Sequence, residues 1–150
     1  MRVSGGLTWT DAKGVNQFTA LAATLGKPDY LTSTLEELGP SVLFEKFMGD
    51  AARSVCVRLV DAERKAAPEA RVLVKYVDPA DTLESNPAGV DQNLRYLLLR
   101  FHGRQLEPAD PQLNQWSWLF QTTTYGAQDP MVGWRAVCVG LMLHPDFYSY

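Results

Sequence analysis

Two cysteines and two histidines hold most of the chemistry that this 150-residue sequence can offer, and their spacing narrows what it is. Cys56 and Cys138 form no CxxC and no CxxCH, so neither a thioredoxin-type pair, nor a zinc ribbon, nor covalent c-type haem attachment is encoded. On helical spacing Cys56 sits at the edge of an apolar stripe, and Cys138 lies on the same side of its helix as Trp134 and Leu141. Two outcomes stay open for them. In an oxidising compartment they form one disulfide between a long central helix and the last one, worth roughly 4–5 kcal/mol by loop-closure entropy. In a reducing compartment they are two small buried hydrophobes. Spacing alone does not decide, because a bridge needs Cα atoms about 4.4–6.8 Å apart.

His102 and His144 each fall at the end of an expected helix, one before Gly103 and the other before Pro145. A histidine there can meet the free terminal carbonyls and, when protonated, the helix dipole, so capping is expected ahead of ligation. No GxSxG elbow is present, and no Ser or Cys stands beside a histidine in a local pattern of nucleophile and base. Glu36-Glu37 reads as an acidic helix start, and Asp78 and Asp81 read as loop formers beside Pro79. Gly5-Gly6 and Gly14 lack both the GxxxxGK[ST] spacing and a preceding strand, so they make no phosphate loop. The sequence therefore assigns no catalytic residue, no cofactor-binding residue and no metal ligand. A hydrolase with a dispersed site would need a pocket that joins a histidine to a carboxylate and a hydroxyl.

Composition excludes further classes. Fourteen Lys and Arg against seventeen Asp and Glu give a net charge of −3, which argues against a nucleic-acid binder held by phosphate contacts. With 46% hydrophobic residues the chain is not a disordered one. No stretch reaches the roughly 20 apolar residues of a membrane span. Residues 1–10 hold one Arg and two Gly but no apolar run, so no signal peptide is expected in this chain.

Hydrophobic periodicity supplies the elements that must position any site, and it is helical. Phe44, Phe47, Met48, Ala51, Ala52, Val55 and Leu59 predict a long helix over residues 40–65, with Pro40 in its first turn. Leu94, Leu97, Leu98 and Phe101 predict a second over 91–102, capped by Asp91 and stopped at Gly103. Asp129-Pro130 opens a third that ends before His144-Pro145. Its residues 131–143 are apolar all round apart from Arg135, as in a helix buried on most sides or held in an interface. Two more helices are expected. One starts at Thr10 or Asp11 and stops at Gly26; the other starts at Asp110-Pro111, turns Leu113, Trp116, Leu119 and Phe120 inward and stops at Gly126. A short acidic turn over 33–37 precedes the long helix, residues 71–77 have strand character, and 78–89 read as a loop. The expected fold is all-α: residues 1–150 form one domain of about five helices, with one long irregular connection over 66–90.

The C-terminal half has its own composition. All five Lys lie at or before Lys75, the cations beyond it are Arg95, Arg100, Arg104 and Arg135, and ten of sixteen aromatics fall in residues 96–150. Arg with Trp and Tyr, without Lys, is the composition of interface cores, although a main core would also gather these aromatics. Trp116, Trp118, Tyr125, Tyr148 and Tyr150 are the interface candidates. Trp118 is the sharpest, because it lies off the stripe of Leu113, Trp116 and Phe120.

Three stretches also resemble a family. Residues 25–56 (LGKPDYLTSTLEELGPSVLFEKFMGDAARSVC) carry an L-x-P-S-x-L-x-x-K/R-F helix leading to D-A-A-R, and residues 93–113 (NLRYLLLRFHGRQLEPADPQL) carry R-x-L-x-x-R followed by G-R-x-L. Residues 134–150 (WRAVCVGLMLHPDFYSY) close with Trp134, Leu141, Pro145 and Phe147 in a matching pattern. Together they resemble the helical domains of unknown function found in large exported proteins of planctomycete and myxobacterial type, which often also carry cytochrome-c-like modules. The resemblance implies an all-helical fold and an extracytoplasmic location, and it supplies no catalytic residue. Since the chain has no haem-binding motif, any cytochrome would be a partner. The function expected is a non-enzymatic structural or protein-interaction module in an extracytoplasmic assembly, with a protein partner or a second copy. The alternative is a redox-associated subunit that packs against a cytochrome or holds haem non-covalently through His102 or His144. A cytoplasmic protein with free thiols is the other location.

Overall fold

The computed structural model describes residue 6, residues 8–21 and residues 42–148. The expected acidic turn over 33–37, the Pro40 helix start, the Gly26 stop and Tyr150 lie outside the described residues. Five α-helices account for the fold, and no strand occurs among the described residues: α1 (Gln17–Leu21), α2 (Val42–Glu63), α3 (Pro87–His102), α4 (Asn114–Ala127) and α5 (Pro130–Leu143). The expected all-α bundle is the observed one.

Helix α5 is the axis of the bundle, in contact with α2, α3 and α4. Its start follows directly from sequence: Asp129 accepts a hydrogen bond from the Met131 amide, and Pro130 occupies the first turn, where no N–H is needed. No α5 residue is exposed, and Met131, Trp134, Val137, Cys138 and Leu141 are fully buried. Gly133 and Gly140, two turns apart, let α4 approach closely. A Cβ on Gly133 would lie 2.2 Å from Thr124 Oγ1 and 2.9 Å from the Phe120 carbonyl oxygen. Across this seam Phe120 meets Trp134, with ring centroids 4.3 Å apart. On the other side of α5, α2 contributes Ala52, Val55, Cys56, Leu59 and Val60 to the same core.

Two helix starts differ from expectation for reasons visible in the side chains. Asp11 does not cap a helix: its Oδ1 accepts from the amides of Lys13 and Val15 and so closes a turn that contains Gly14 at φ 80°. Asn16 caps α1 instead, accepting from Phe18 and Thr19. Helix α3 starts at Pro87, one turn before Asp91. Asn86 is its cap, accepting from Gly89 at 2.9 Å, and Asp91 instead binds Arg95 and the Ala109 amide. Gly103, at φ 68°, ends α3 as expected. Asp110 opens a 3-10 turn (Pro111–Leu113) that runs into α4, and α4 ends at Gln128 in left-handed geometry rather than at Gly126.

The segment 71–77 is not a strand. It has no strand to pair with among the described residues, and two side chains take its amides instead. Glu63, only 3% exposed at the end of α2, accepts from Val72 at 2.7 Å, from Leu73 at 2.7 and 3.0 Å, and from Val74 at 2.9 Å. Asn93 of α3, fully buried, accepts from Lys75 and Tyr76 and donates to the Leu73 carbonyl. Five consecutive amides are thus bonded without a ladder, as burial of a backbone segment requires. Leu73, Val74 and Val77 are free to join the core.

Candidate functional site

Cys56 and Cys138 face each other across α2 and α5, with Cα atoms 5.9 Å apart, and form a disulfide. The separation falls inside the range that a bridge needs, the point on which spacing alone was silent. Neither sulfur is then available as a thiolate ligand or nucleophile.

The chemistry that remains gathers where α3 and α5 end and α4 begins. A cleft of about 290 Å3 opens there, lined by His102, Arg104, Leu106, Trp116, His144 and Asp146 among others. Its geometry begins with a missing donor. In α5 the carbonyl of Leu141 would accept from the residue four positions on, which is Pro145, and proline has no N–H. His102, the last residue of α3, supplies the donor: its Nε2 lies 2.9 Å from the Leu141 oxygen. Because the partner is a carbonyl, Nε2 carries the proton and Nδ1 keeps the lone pair. Burial holds the His102 imidazole below its ordinary pKa, against the opposing effect of this hydrogen bond. The ring is neutral at neutral pH.

His144 follows α5 and caps a 3-10 turn (Pro145–Phe147), accepting at Nδ1 from the Asp146 amide at 3.2 Å. Its ring stacks on His102 with centroids 4.8 Å apart, and Trp116 stands beside both rings. Asp146 faces two ways. Its Oδ1 lies 3.7 Å from His144 Nδ1, and its buried Oδ2 is ion-paired with Arg104. Arg104 is itself held by Gln112, to which it donates at 3.0 Å. One imidazole nitrogen from each histidine and one Asp146 oxygen lie within 4.8 Å of one another.

Both histidines therefore sit at helix ends, as their positions before Gly103 and Pro145 implied, but His102 serves the end of α5 and not that of its own helix. Sequence reasoning missed Asp146 and Arg104. The signal available was the His-Pro-Asp order, in which a proline both starts a turn and orphans a carbonyl four residues back. The cleft joins histidines to a carboxylate, with no hydroxyl or thiol among its described lining residues.

The interface candidates are dispersed. Trp116 is buried and forms a wall of the cleft, and Tyr148 packs edge-on against Phe44, with centroids 5.4 Å apart. Trp118 and Tyr125 are exposed, by 66% and 79%. They are two turns apart and lie on one face of α4 with exposed Gln115, Gln121 and Thr122.

No protein-family model, no curated protein and no solved structure matches the chain. Among the described residues, no helix is long and apolar enough to cross a membrane.

Proposed function

We propose that the chain is a non-enzymatic structural or protein-interaction module of an extracytoplasmic assembly, and that it pairs with a second copy through the outer face of α4. The exposed Trp118 and Tyr125 on a helix without a single charged side chain carry this reading. Trp and Tyr are the residues that dominate interface energetics, and charge is depleted at interface cores. An uncharged face meets its own copy without like-charge repulsion. Antiparallel pairing of α4 across a two-fold axis sets Trp118 of each copy against Tyr125 of the other. The disulfide supports an oxidising location, and the resemblance to exported helical domains points the same way.

Sedimentation velocity of the oxidised chain over a concentration series tests the pairing. The expected result is a concentration-dependent dimer that Trp118→Ala and Tyr125→Ala each abolish. A chain that stays monomeric at every concentration, or variants that dimerise like the parent, would overturn it. Thiol labelling of protein from its native source tests the location: two labelled cysteines would place it in a reducing compartment.

The redox-associated alternative draws on His102 and His144 sharing one cleft. Stacked imidazoles and about 290 Å3, at the small end of ligand sites, suit a smaller guest than a haem macrocycle. A Soret band in natively purified protein would favour haem.

A further inference from the structure

We propose that His102, His144 and Asp146 form a binding site for one divalent transition-metal ion of the class that prefers imidazole, with Zn2+ as its representative. Three observations converge. The donor set of two imidazoles and one carboxylate, without thiolate, is one that Zn2+ and its neighbours take, whereas Mg2+ and Ca2+ prefer oxygen alone. The three donor atoms already lie within 4.8 Å of one another, on half-buried side chains. Three donors at about 2.1 Å from one tetrahedral ion lie roughly 3.4 Å apart, so rotation of these side chains must draw the widest pair together by about an ångström or slightly more.

The surroundings orient two of the three ligands, whereas His144 exchanges its Nδ1 bond from the Asp146 amide for the ion. A ligating histidine usually donates its second nitrogen to a carbonyl or carboxylate, which fixes ring and tautomer. His102 does so to the Leu141 carbonyl, an acceptor that exists because Pro145 leaves it unused. Asp146 is oriented in the same manner: Arg104 holds Oδ2, which leaves Oδ1 on the side of His144. Three protein ligands at an open cleft leave at least one position for water or for a group brought by another molecule. The inference does not depend on how α4 is used, since Trp118 and Tyr125 are not ligands.

Zn2+ titration of the metal-free, oxidised full chain, followed by calorimetry, is the direct test, with the visible ligand-field bands of bound Co2+ as a second readout. One ion per chain is expected. Affinity should fall by at least about tenfold, the low end of the loss caused by removing even an outer-shell partner, in His144→Ala and separately in Asp146→Asn. Asp78→Asn, which alters an exposed acid elsewhere, should bind as the parent does. Asp146→Asn keeps the shape of the turn, so it remains informative if His144→Ala does not fold. No uptake by the parent would overturn the proposal. So would uptake that both variants retain, because the ion would then sit elsewhere on the surface.

Discussion

Glu63→Gln isolates the device that shapes the middle of the chain. In the native protein Oε1 accepts from Val72 and Leu73, and Oε2 from Leu73 and Val74. Gln retains one acceptor oxygen, which keeps the Val72 and Leu73 bonds but strips them of charge assistance, at about 1 kcal/mol each. Its NH2 then faces the Val74 amide, donor against donor, and a buried N–H without an acceptor costs about 1–3 kcal/mol. Relief from burying a charge offsets part of this. The net loss is about 2–4 kcal/mol, a large fraction of the 5–15 kcal/mol typical of a domain, with a fall in Tm of roughly 5–12 °C. Urea unfolding followed by far-UV circular dichroism measures the loss, and hydrogen exchange locates it: the Val72, Leu73 and Val74 amides should lose protection while α5 amides keep theirs. A Glu63→Gln protein within about 0.5 kcal/mol of the parent, with those amides still protected, would show that the carboxylate is not their acceptor.

Replacing both Cys56 and Cys138 by Ala should cost about 4–5 kcal/mol by loop-closure entropy over a separation of 82 residues, read as a lower urea midpoint that a reductant no longer changes. Gly133→Ala should cost at least about 1–3 kcal/mol, because its Cβ would lie 2.9 Å from the Phe120 backbone oxygen. Gly126→Ala meets nothing within 4 Å and should be neutral or slightly stabilising in the same thermal melt. Arg64 beside Asp129 holds its carboxyl below the ordinary carboxylate range, with help from the Met131 amide. Because the folded pKa is depressed, that stabilisation is present above the unfolded value and is lost as pH falls through the folded one. Asp129→Asn should therefore lower stability at neutral pH and flatten the acid limb of a stability–pH curve.

What the sequence made legible is local. Asp129-Pro130, Asp110-Pro111 and Gly103 announce their caps and stops within a few residues, and the observed helices obey them. Asn86-Pro87 carries the same cap-then-proline order, yet it sits in a run of Asp, Ser, Pro and Gly whose composition reads as loop, so α3 was expected to begin a turn late. Residues 71–77 mislead for the opposite reason. Their β propensity is genuine, but propensity does not count the acceptors that Glu63 and Asn93 bring from 9 to 18 positions away. The candidate site is less legible still, because His102 and His144 meet only through the packing of α3 on α5. Pro145 marks the end of α5 and the free Leu141 carbonyl, but nothing local in the sequence says that His102 takes it.

The cradle around residues 72–77 also bears on solubility. VLVKYV has high β propensity, one charge and neither Pro nor Gly, the pattern of a segment that stacks into cross-β fibrils once its backbone is free. Glu63 and Asn93 occupy five of its amides from within the fold and so withhold those donors from another chain. Two polar side chains thus act as gatekeepers, and removing them would free this backbone to pair with another chain.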